Sequence, residues 1–278
     1  MSVDTSRVTR PRTGFPFLDA GIDQPGSVLA FAHRGGAFHP EIEGLENTRA
    51  AFQHAVDLGY RYLETDVHAT KDGVLLAFHD SVLDRVTADR GAIQELAYVD
   101  VRKALIGGRE QIPTLEELFE TFPDTCFNID LKSTAAIRPL IDLIDRTAAH
   151  DRVCVASFSE RRMRTFRSLT RGRVATAAAP ITVALRRFVP TATLADVLLR
   201  DPAAALQVPH RRRGLTIVNA AFVARAHAAG RHVHVWTVDD PAQMSDLLDI
   251  GVDGLMTDRT DLLREVLMER GQWMGAQA

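Results

Sequence analysis

The hydrophobic positions of the chain change their rhythm at residue 28. From there, short apolar runs typical of buried strands alternate with segments whose apolar residues recur at helical spacing. Strands are predicted at 28–33, 61–67, 126–131, 152–158, 173–178, 204–208, 232–238 and 252–257. Helices are predicted between most of them, at 48–57, 114–121, 135–149, 159–169, 218–229 and 241–249. Because strands that alternate with helices indicate parallel βα units, these eight strands favour an α/β fold of the (β/α)₈ TIM-barrel type.

The domain organisation follows from the same pattern. We find no internal repeat and no break in composition, so a single barrel domain is expected at 28–270. Residues 1–27 contain three prolines and no sustained periodicity, which predicts an arm that lies over the surface. Residues 271–278 are expected to form a short tail.

Several positions carry the signals of helix ends. Thr114 is followed three residues later by Glu117, the spacing of a capping box at the start of a helix. Gly59, Gly230 and Gly251 each follow a helical pattern, where a residue in the left-handed conformation often ends the helix. These signals support the predicted boundaries.

The second predicted strand continues into a hairpin. An Asp-Gly pair at 72–73 separates two strand-like runs, and the connection is too short for a parallel crossover. If Thr70 and Val74 flank the turn, the antiparallel register pairs Asp66 with Phe78. That register also pairs Glu64 with Asp80, so His79 is expected close to both carboxylates at the start of the hairpin.

Composition and charge narrow the functional classes. The 278 residues include 33 Lys or Arg and 36 Asp or Glu, with a net charge of −3 and a hydrophobic fraction of 46%. These values exclude a disordered, collagen-like or disulfide-rich chain. The weak net charge provides no attraction of the whole surface for nucleic acid or an anionic membrane, so neither partner is expected.

The expected location is the cytoplasm. The chain has no run of 18 apolar residues, so no integral membrane segment is expected, and the first residues lack the apolar stretch of a secretory signal. Cys126 and Cys154 match no metal-ligand spacing. They indicate buried free thiols in a reducing compartment.

Paired charged residues lie on two predicted strands. Glu64 and Asp66 are two residues apart and therefore face the same side of a strand, which is the expected barrel mouth. Asp130 and Lys132 form a second such pair, and Lys132 is one of only three lysines among the 33 basic residues. Three buried carboxylates become tolerable around a hard divalent cation such as Mg²⁺ or Ca²⁺. A purely structural network of ion pairs is the alternative, and the pattern alone does not decide between the two.

Two histidines are expected at the same end of the barrel. His33 ends the first predicted strand, and the hairpin returns His79 to this region. Active sites of TIM barrels lie at the carboxyl ends of the strands, where two histidines can act as general acid and general base near neutral pH. Arg34 offers a guanidinium fork for a phosphate or a carboxylate. The alternative is that each histidine only caps a strand end through a hydrogen bond.

A series of short motifs runs in order along the chain. It comprises His33-Arg34-Gly35, Glu46-Asn47-Thr48, Glu64-Thr65-Asp66-Val67, Thr70-Lys71-Asp72-Gly73, His79-Asp80, Leu83-Asp84-Arg85-Val86-Thr87, Ile112-Pro113-Thr114-Leu115, Asn128-Ile129-Asp130-Leu131-Lys132, Ser157-Phe158, Trp236-Thr237-Val238, Gly251-Val252-Asp253-Gly254 and Thr257-Asp258. With these motifs the chain closely resembles the glycerophosphodiester phosphodiesterase family. The resemblance implies a barrel of the phospholipase-C-like type and metal-dependent cleavage of glycerophosphodiesters.

The resemblance also implies the reacting groups and the metal ligands. The acid–base couple of the family matches His33 and His79. The metal ligands match Glu64, Asp66 and Asp130, with Mn²⁺ as a further option beside Mg²⁺ and Ca²⁺. The third ligand of the family is usually glutamate, and the shorter aspartate here implies a metal that sits lower or a bridging water.

Further residues match the substrate contacts of the family. Arg34 and Lys132 match its phosphate-binding cations, and Trp236 matches the aromatic residue that lines its substrate cleft. Glu46 and Asn47 are expected to support the mouth of the barrel. The loop at 37–44 is longer than usual for the family and is expected to border the cleft, where it would influence the choice of leaving group.

The expected reaction is metal-dependent hydrolysis of a small-molecule glycerophosphodiester to sn-glycerol 3-phosphate and an alcohol. A lysophospholipase D is the first alternative, and it needs an exposed apolar approach for an acyl chain. A non-catalytic barrel that binds a phosphorylated ligand is the second, and the intact set of histidines, acids and cations argues against it. The sequence leaves the oligomeric state, the preferred metal and the head group open.

Overall fold

The computed structural model describes residues 10–24, 26–188, 201–212 and 214–275. Its strands are β1 (Leu29–His33), β2 (Tyr62–Ala69), β3 (Leu75–Ala77), β4 (Leu105–Ile106), β5 (Glu110–Gln111), β6 (Cys126–Leu131), β7 (Val153–Ala156), β8 (Ala175–Thr176), β9 (Ala205–Pro209), β10 (Arg211–Arg212), β11 (Leu215–Thr216), β12 (His232–Trp236) and β13 (Gly254–Thr257). Its helices are α1 (Pro16–Asp19), α2 (Arg49–Asp57), α3 (Tyr98–Val101), α4 (Leu115–Thr121), α5 (Ile137–Arg146), α6 (Glu160–Thr170), α7 (Pro180–Phe188), α8 (Ala220–Ala228), α9 (Pro241–Asp249) and α10 (Thr260–Glu269).

Eight parallel strands form the barrel. They follow one another in the order β8, β7, β6, β2, β1, β13, β12 and β9. A parallel bridge between Ala177 and Ala205 joins the two ends, and the Ala178 amide donates to the Ala205 carbonyl at 2.9 Å. The predicted TIM barrel and all eight predicted strands are therefore confirmed, with ends that differ by a few residues.

The six predicted helices are confirmed, and four further helices of the described residues were not predicted. The segment predicted at 135–149 is shorter than expected, because α5 ends at Arg146 and Ala148 adopts a left-handed φ of +51°. The helices that were not predicted are the short α1 and α3 and the longer α7 and α10. The apolar spacing for α10 was present in the sequence, since Leu263, Val266 and Leu267 are its buried face.

The predicted helix-end signals are confirmed. The Thr114 side chain accepts from the Glu117 amide at 3.1 Å, and the Glu117 carboxylate accepts from the Thr114 amide at 2.8 Å. These two bonds satisfy amides that have no partner within α4. Gly59, Gly230 and Gly251 have φ values of +93°, +66° and +85°, which only glycine adopts without strain.

The predicted hairpin is also confirmed in its register. Strand β2 pairs antiparallel with β3, with Val67 opposite Ala77 and Ala69 opposite Leu75. The Phe78 amide donates to the Asp66 carbonyl at 2.9 Å, which continues this register towards the mouth of the barrel. The chain after β3 therefore returns to the carboxyl end of the barrel strands, where β2 itself carries Glu64 and Asp66.

The N-terminal segment differs from the predicted surface arm. Phe17 and Leu18 in α1 are 1% and 0% exposed. The Phe17 ring packs edge-on against Tyr62 with centroids 5.1 Å apart, and the Tyr62 hydroxyl donates to the Phe17 carbonyl at 2.8 Å. The arm closes the amino-terminal end of the barrel, because the inward side chains of short parallel strands leave apolar surface there that needs a cover.

The predicted division into arm, barrel and tail stays a prediction. Residues 1–9 and 25 of the arm, and 276–278 of the tail, lie outside the described residues, as do 189–200 of the barrel. Within the described part, no helix combines the length and the apolarity that a membrane crossing requires.

We expect the arm to contribute strongly to stability. Phe17→Ala should lower the free energy of unfolding by about 3 kcal/mol, because it leaves a cavity in a fully buried aromatic cluster. Urea denaturation monitored by circular dichroism measures this change. Phe38→Ala is the matched control, since Phe38 is 62% exposed. Equal, small effects of the two substitutions would show that the arm does not stabilise the barrel.

Candidate active site

A cavity of about 850 Å³ opens at the carboxyl ends of the barrel strands. Eight of the ten residues singled out in the sequence line it, namely His33, Arg34, Glu64, Asp66, His79, Asp130, Lys132 and Trp236. The other two contact these residues from behind: Glu46 lies 3.2 Å from Arg34, and the Asn47 amide donates to Asp66 at 3.1 Å. The structure thus brings the whole predicted set together.

Three buried carboxylates lie at the base of this cavity. Glu64 and Asp66 share one face of β2, and the parallel register places Asp130 of β6 opposite Asp66. Burial and the neighbouring Asp66 raise the pKa of Glu64. Burial also raises the pKa of Asp130. The raised pKa values mean that the ionised carboxylates are unfavourable at this poorly solvated place. Added positive charge would stabilise them, which favours a bound cation.

Lys132 lies between two of these carboxylates. Its Nζ is 2.9 Å from Asp66 Oδ1 and 2.7 Å from Asp130 Oδ2. Burial disfavours the charge on Asp66, but Lys132 and Arg34 together outweigh burial and lower its pKa. The sequence left open a structural network of ion pairs as the alternative to a metal site. Part of this network is present, because Lys132 joins Asp66 and Asp130.

The donor chemistry of the site fits a hard divalent cation. Glu64, Asp66 and Asp130 provide carboxylate oxygens from two adjacent strands. Asp130 Oδ1 is buried without a hydrogen-bond partner among the described residues, which leaves one acceptor available. No group of three His, Cys, Asp or Glu in the described ranges has the arrangement of a metal site, and the Lys132 ammonium occupies the space between two of the carboxylates.

Each histidine is held by a carboxylate at the same ring nitrogen. His33 Nδ1 lies 2.7 Å from Asp258 Oδ1, and His79 Nδ1 lies 2.6 Å from Asp80 Oδ1. Burial would lower the pKa of His33, but Glu64 and Asp258 outweigh burial and raise it to about 9. Because Nδ1 is engaged in both rings, Nε2 is the atom available for proton transfer.

Arg34 connects the first strand to the carboxylates. Its Nε lies 3.2 Å from Asp66 Oδ2, and its backbone amide donates to Glu64 Oε2 at 3.2 Å. Asn47 holds the same Asp66 from the other side and accepts from Thr65 at 2.8 Å. Arg34 and Asn47 have left-handed φ values of +50° and +58°, so the loop between β1 and α2 is bent at both residues whose side chains contact Asp66.

The opposite wall of the cavity is apolar, and sequence reasoning assigned only Trp236 of it. The rings of Phe158 and Trp236 pack edge-on with centroids 5.7 Å apart, and Phe158 is 55% exposed. This apolar wall continues through Ala156, Ala178, Pro180, Val183, Ala184, Val208, Pro209, Leu215, Ile217 and Met256. The arginines of β10 stand at its edge, next to Arg213, which lies outside the described residues.

Sequence reasoning also missed three residues that hold the polar wall. Asp80 and Arg85 belong to motifs quoted above, but no role was assigned to them. The His-Asp adjacency at 79–80 is a local signal for Asp80. Asp258 is 225 residues from His33, so only the fold brings them together.

The loop at 37–44 lies elsewhere than expected. None of its residues is among those that line the cavity, so the prediction that it borders the cleft is wrong for the described structure. At the exposed Phe38 the loop instead donates a backbone hydrogen bond to the segment after β13: the Phe38 amide donates to the Asp258 carbonyl at 3.0 Å.

Comparison with known proteins identifies the family. Residues 33–262 match the model of the glycerophosphoryl diester phosphodiesterase family. The chain belongs to this family. It is 45% identical over 255 residues to a probable glycerophosphodiester phosphodiesterase 2 of Mycobacterium tuberculosis, which covers 90% of this chain and 95% of that protein. The predicted family and the prediction of a phosphodiesterase enzyme are thereby confirmed.

More distant relatives of this phosphodiesterase cover similar lengths. A human lysophospholipase D is 29% identical over 276 residues, with 85% of each chain covered. A phosphodiesterase from Oleispira antarctica, solved in complex with the product sn-glycerol-3-phosphate, has a TM-score of 0.72 at 21% identity. That likeness covers 86% of this chain and 96% of the other, and it supports the barrel fold.

We expect Lys132 to be sensitive to a change that keeps its charge. In Lys132→Arg the broad guanidinium fork replaces a compact ammonium held between two carboxylates, so kcat/KM for a phosphodiester substrate should fall by about tenfold or more. Lys71→Arg is the matched control, because Lys71 lies exposed in the turn of the hairpin and should stay within about twofold of the wild type. Steady-state kinetics of both variants measure the difference, and equal values would contradict it.

Proposed function

We propose that this phosphodiesterase hydrolyses glycerophosphodiesters to sn-glycerol 3-phosphate and an alcohol, with His33 and His79 as the acid–base couple. The observation that supports this most directly is the pair of histidines in one cleft, each with Nδ1 held by a carboxylate. The product named for the Oleispira relative is in keeping with this reaction.

The two histidines would divide the proton transfers. Through Nε2, one takes a proton from the nucleophile and the other gives a proton to the leaving alcohol. The nucleophile is either a neighbouring hydroxyl of the substrate, which would produce a cyclic phosphate, or a water molecule. Asp80 and Asp258 keep the rings oriented and stabilise each imidazolium when it forms.

The cations of the site would bind the phosphate. Arg34 and Lys132 both line the cavity and lie beside the carboxylates, so an anionic phosphate there meets positive charge on two sides. Fixed positive groups stabilise the charge that builds on the phosphoryl oxygens during the reaction. Trp236 would lie against the carbon atoms of the glycerol.

We propose Glu64, Asp66 and Asp130 as the residues that hold a divalent cation, Mg²⁺ or Ca²⁺, with Mn²⁺ as a further option. When bound, such an ion neutralises phosphoryl charge and makes a hydroxyl more acidic. Two observations support this assignment: the pKa of Glu64 is raised by burial beside Asp66, and Asp130 Oδ1 has no hydrogen-bond partner among the described residues.

We also propose a cytoplasmic location, on the evidence of the two cysteines. Both are free thiols, and burial raises the pKa of Cys126 to about 11 and of Cys154 to about 12. They therefore stay protonated and unreactive at neutral pH.

The acid–base couple is tested by two substitutions. His33→Ala and His79→Ala should each lower kcat by about 10²- to 10⁴-fold, the usual range for loss of a general acid or base. His150→Ala is the control, because His150 lies outside the cavity and pairs with Asp145 at 2.8 Å. Release of glycerol 3-phosphate from glycerophosphocholine measures the rate, and near-full activity of either first variant would refute the couple.

One observation favours a second candidate function, a lysophospholipase D. The apolar wall is much larger than a glycerol unit requires, and Phe158 and Leu215 at its edge are 55% and 52% exposed. This is the exposed apolar approach that an acyl chain would need. The human relative at 29% identity is named for this activity.

A substrate panel separates the candidate functions. Glycerophosphocholine and lysophosphatidylcholine are assayed with EDTA and with Mg²⁺, Ca²⁺ or Mn²⁺ added. We expect glycerol 3-phosphate from the first substrate with a metal and none with EDTA. Choline release from lysophosphatidylcholine alone would establish the second candidate instead. Binding of sn-glycerol 3-phosphate without any turnover would leave a non-catalytic barrel and would refute both.

A further inference from the structure

A single guanidinium joins the two loops that flank the polar wall of the cleft. Arg85 Nη1 and Nη2 donate to the two oxygens of Glu46 at 2.7 and 2.5 Å, and Arg85 Nε donates to Asp80 Oδ2 at 2.6 Å. Glu46 lies in the loop after β1, and Asp80 lies in the chain after β3. Arg85 therefore forms a bridge between Asp80, 5 residues before it in sequence, and Glu46, 39 residues before it.

At one end of this bridge stands His79. The second oxygen of Asp80, Oδ1, which Arg85 does not engage, lies 2.6 Å from His79 Nδ1. Burial disfavours the charge on Asp80, but its hydrogen bonds with Arg85 and His79 outweigh burial and lower its pKa. An ionised Asp80 only accepts, so His79 donates its Nδ1–H to Asp80, and Nε2 is the ring nitrogen left for proton transfer.

At the other end stands Arg34. Glu46 Oε1 accepts from Arg34 Nη1 at 3.2 Å, and Arg34 Nε lies 3.2 Å from Asp66. Glu46 therefore fixes the guanidinium that faces a bound phosphate. Both carboxylates held by Arg85 are largely buried, with side-chain exposures of 14% for Glu46 and 22% for Asp80.

We propose that Arg85 is a positioning residue that couples the orientation of His79, through Asp80, to the orientation of Arg34, through Glu46. The proposal rests on the proposed roles of these two residues in the reaction. Charges alternate in sign along the chain of contacts, so each side chain is fixed by its neighbours. Arginine suits this place because its planar fork can engage one carboxylate with two N–H groups and a second one with Nε, whereas lysine has one ammonium.

The bridge should act on the reaction more than on stability. Arg85 is 47% exposed, and ion pairs with such exposure contribute little to the free energy of unfolding. A structural role would instead lower the melting temperature together with the activity. The two roles therefore differ in what a substitution changes.

Kinetics of single and double variants test the coupling. Arg85→Gln should lower kcat about tenfold through His79 and also raise KM about fivefold through Arg34. Asp80→Asn should reproduce the effect on kcat, and Glu46→Gln the effect on KM. In the double variants Arg85→Gln/Asp80→Asn and Arg85→Gln/Glu46→Gln, the loss of activity should be smaller than the sum of the losses in the two single variants. The reason is that both substitutions break the same chain of contacts. Additive losses in both, or wild-type kinetics of Arg85→Gln, would overturn the proposal.

Two further variants test whether the loss of any surface arginine, or the loss of charge alone, explains the effect of Arg85→Gln. Arg90→Gln is the matched control, since Arg90 is 85% exposed and pairs with Asp84 at 3.3 Å, so its kinetics should be those of the wild type. Arg85→Lys keeps the charge and should recover either the kcat or the KM effect, but not both. Recovery of both would show that charge alone matters and would overturn the positioning role.

A readout without turnover separates this proposal from the proposed function. The ¹⁵N shifts of the His79 ring report which nitrogen carries the proton, and calorimetric titration with sn-glycerol 3-phosphate reports on Arg34. Arg85→Gln should change the His79 ring signals and weaken the binding of sn-glycerol 3-phosphate. If the wild type lacks diesterase activity, the proposed function fails while these measurements still test the bridge. Unchanged ring signals and unchanged affinity would overturn it.

Discussion

The site depends on the balance of charge around three buried carboxylates. Glu64, Asp66 and Asp130 meet at the base of the cleft, where little water remains to screen them. Lys132 and Arg34 compensate Asp66, but burial beside Asp66 still raises the pKa of Glu64. This uneven compensation makes the base of the cleft a place that favours added positive charge.

The register of the parallel barrel strands places these charged side chains next to one another. Pairing of β1 with β2 sets His33 beside Glu64, and pairing of β2 with β6 sets Asp66 beside Asp130. A shift of one residue in either pairing would turn these side chains out of the barrel. The antiparallel strand β3 then returns the chain to the mouth, so His79 lines the same cavity as His33 without a further barrel strand.

Local patterns were sufficient for much of the fold. Apolar periodicity predicted all eight barrel strands, and the Asp-Gly turn predicted the register of the hairpin, because each depends on neighbours in sequence. The burial of Phe17 could not be predicted in this way, since it depends on the open end of a barrel that forms elsewhere in the chain. The partner of His33 was missed for the same reason, as Asp258 directly follows the last strand, 225 residues away in sequence.

The cleft is divided by the order of the strands around the barrel. Strands β1, β2 and β6 supply its charged side, and β7, β9 and β12 with α7 supply its apolar side. An apolar wall opposite charged groups keeps water away from them and so strengthens their interactions. The two sides meet at one point, because Lys132 Nζ lies 5.6 Å from the centroid of the Phe158 ring. A change at Phe158 would therefore reach the cation that pairs with Asp66 and Asp130.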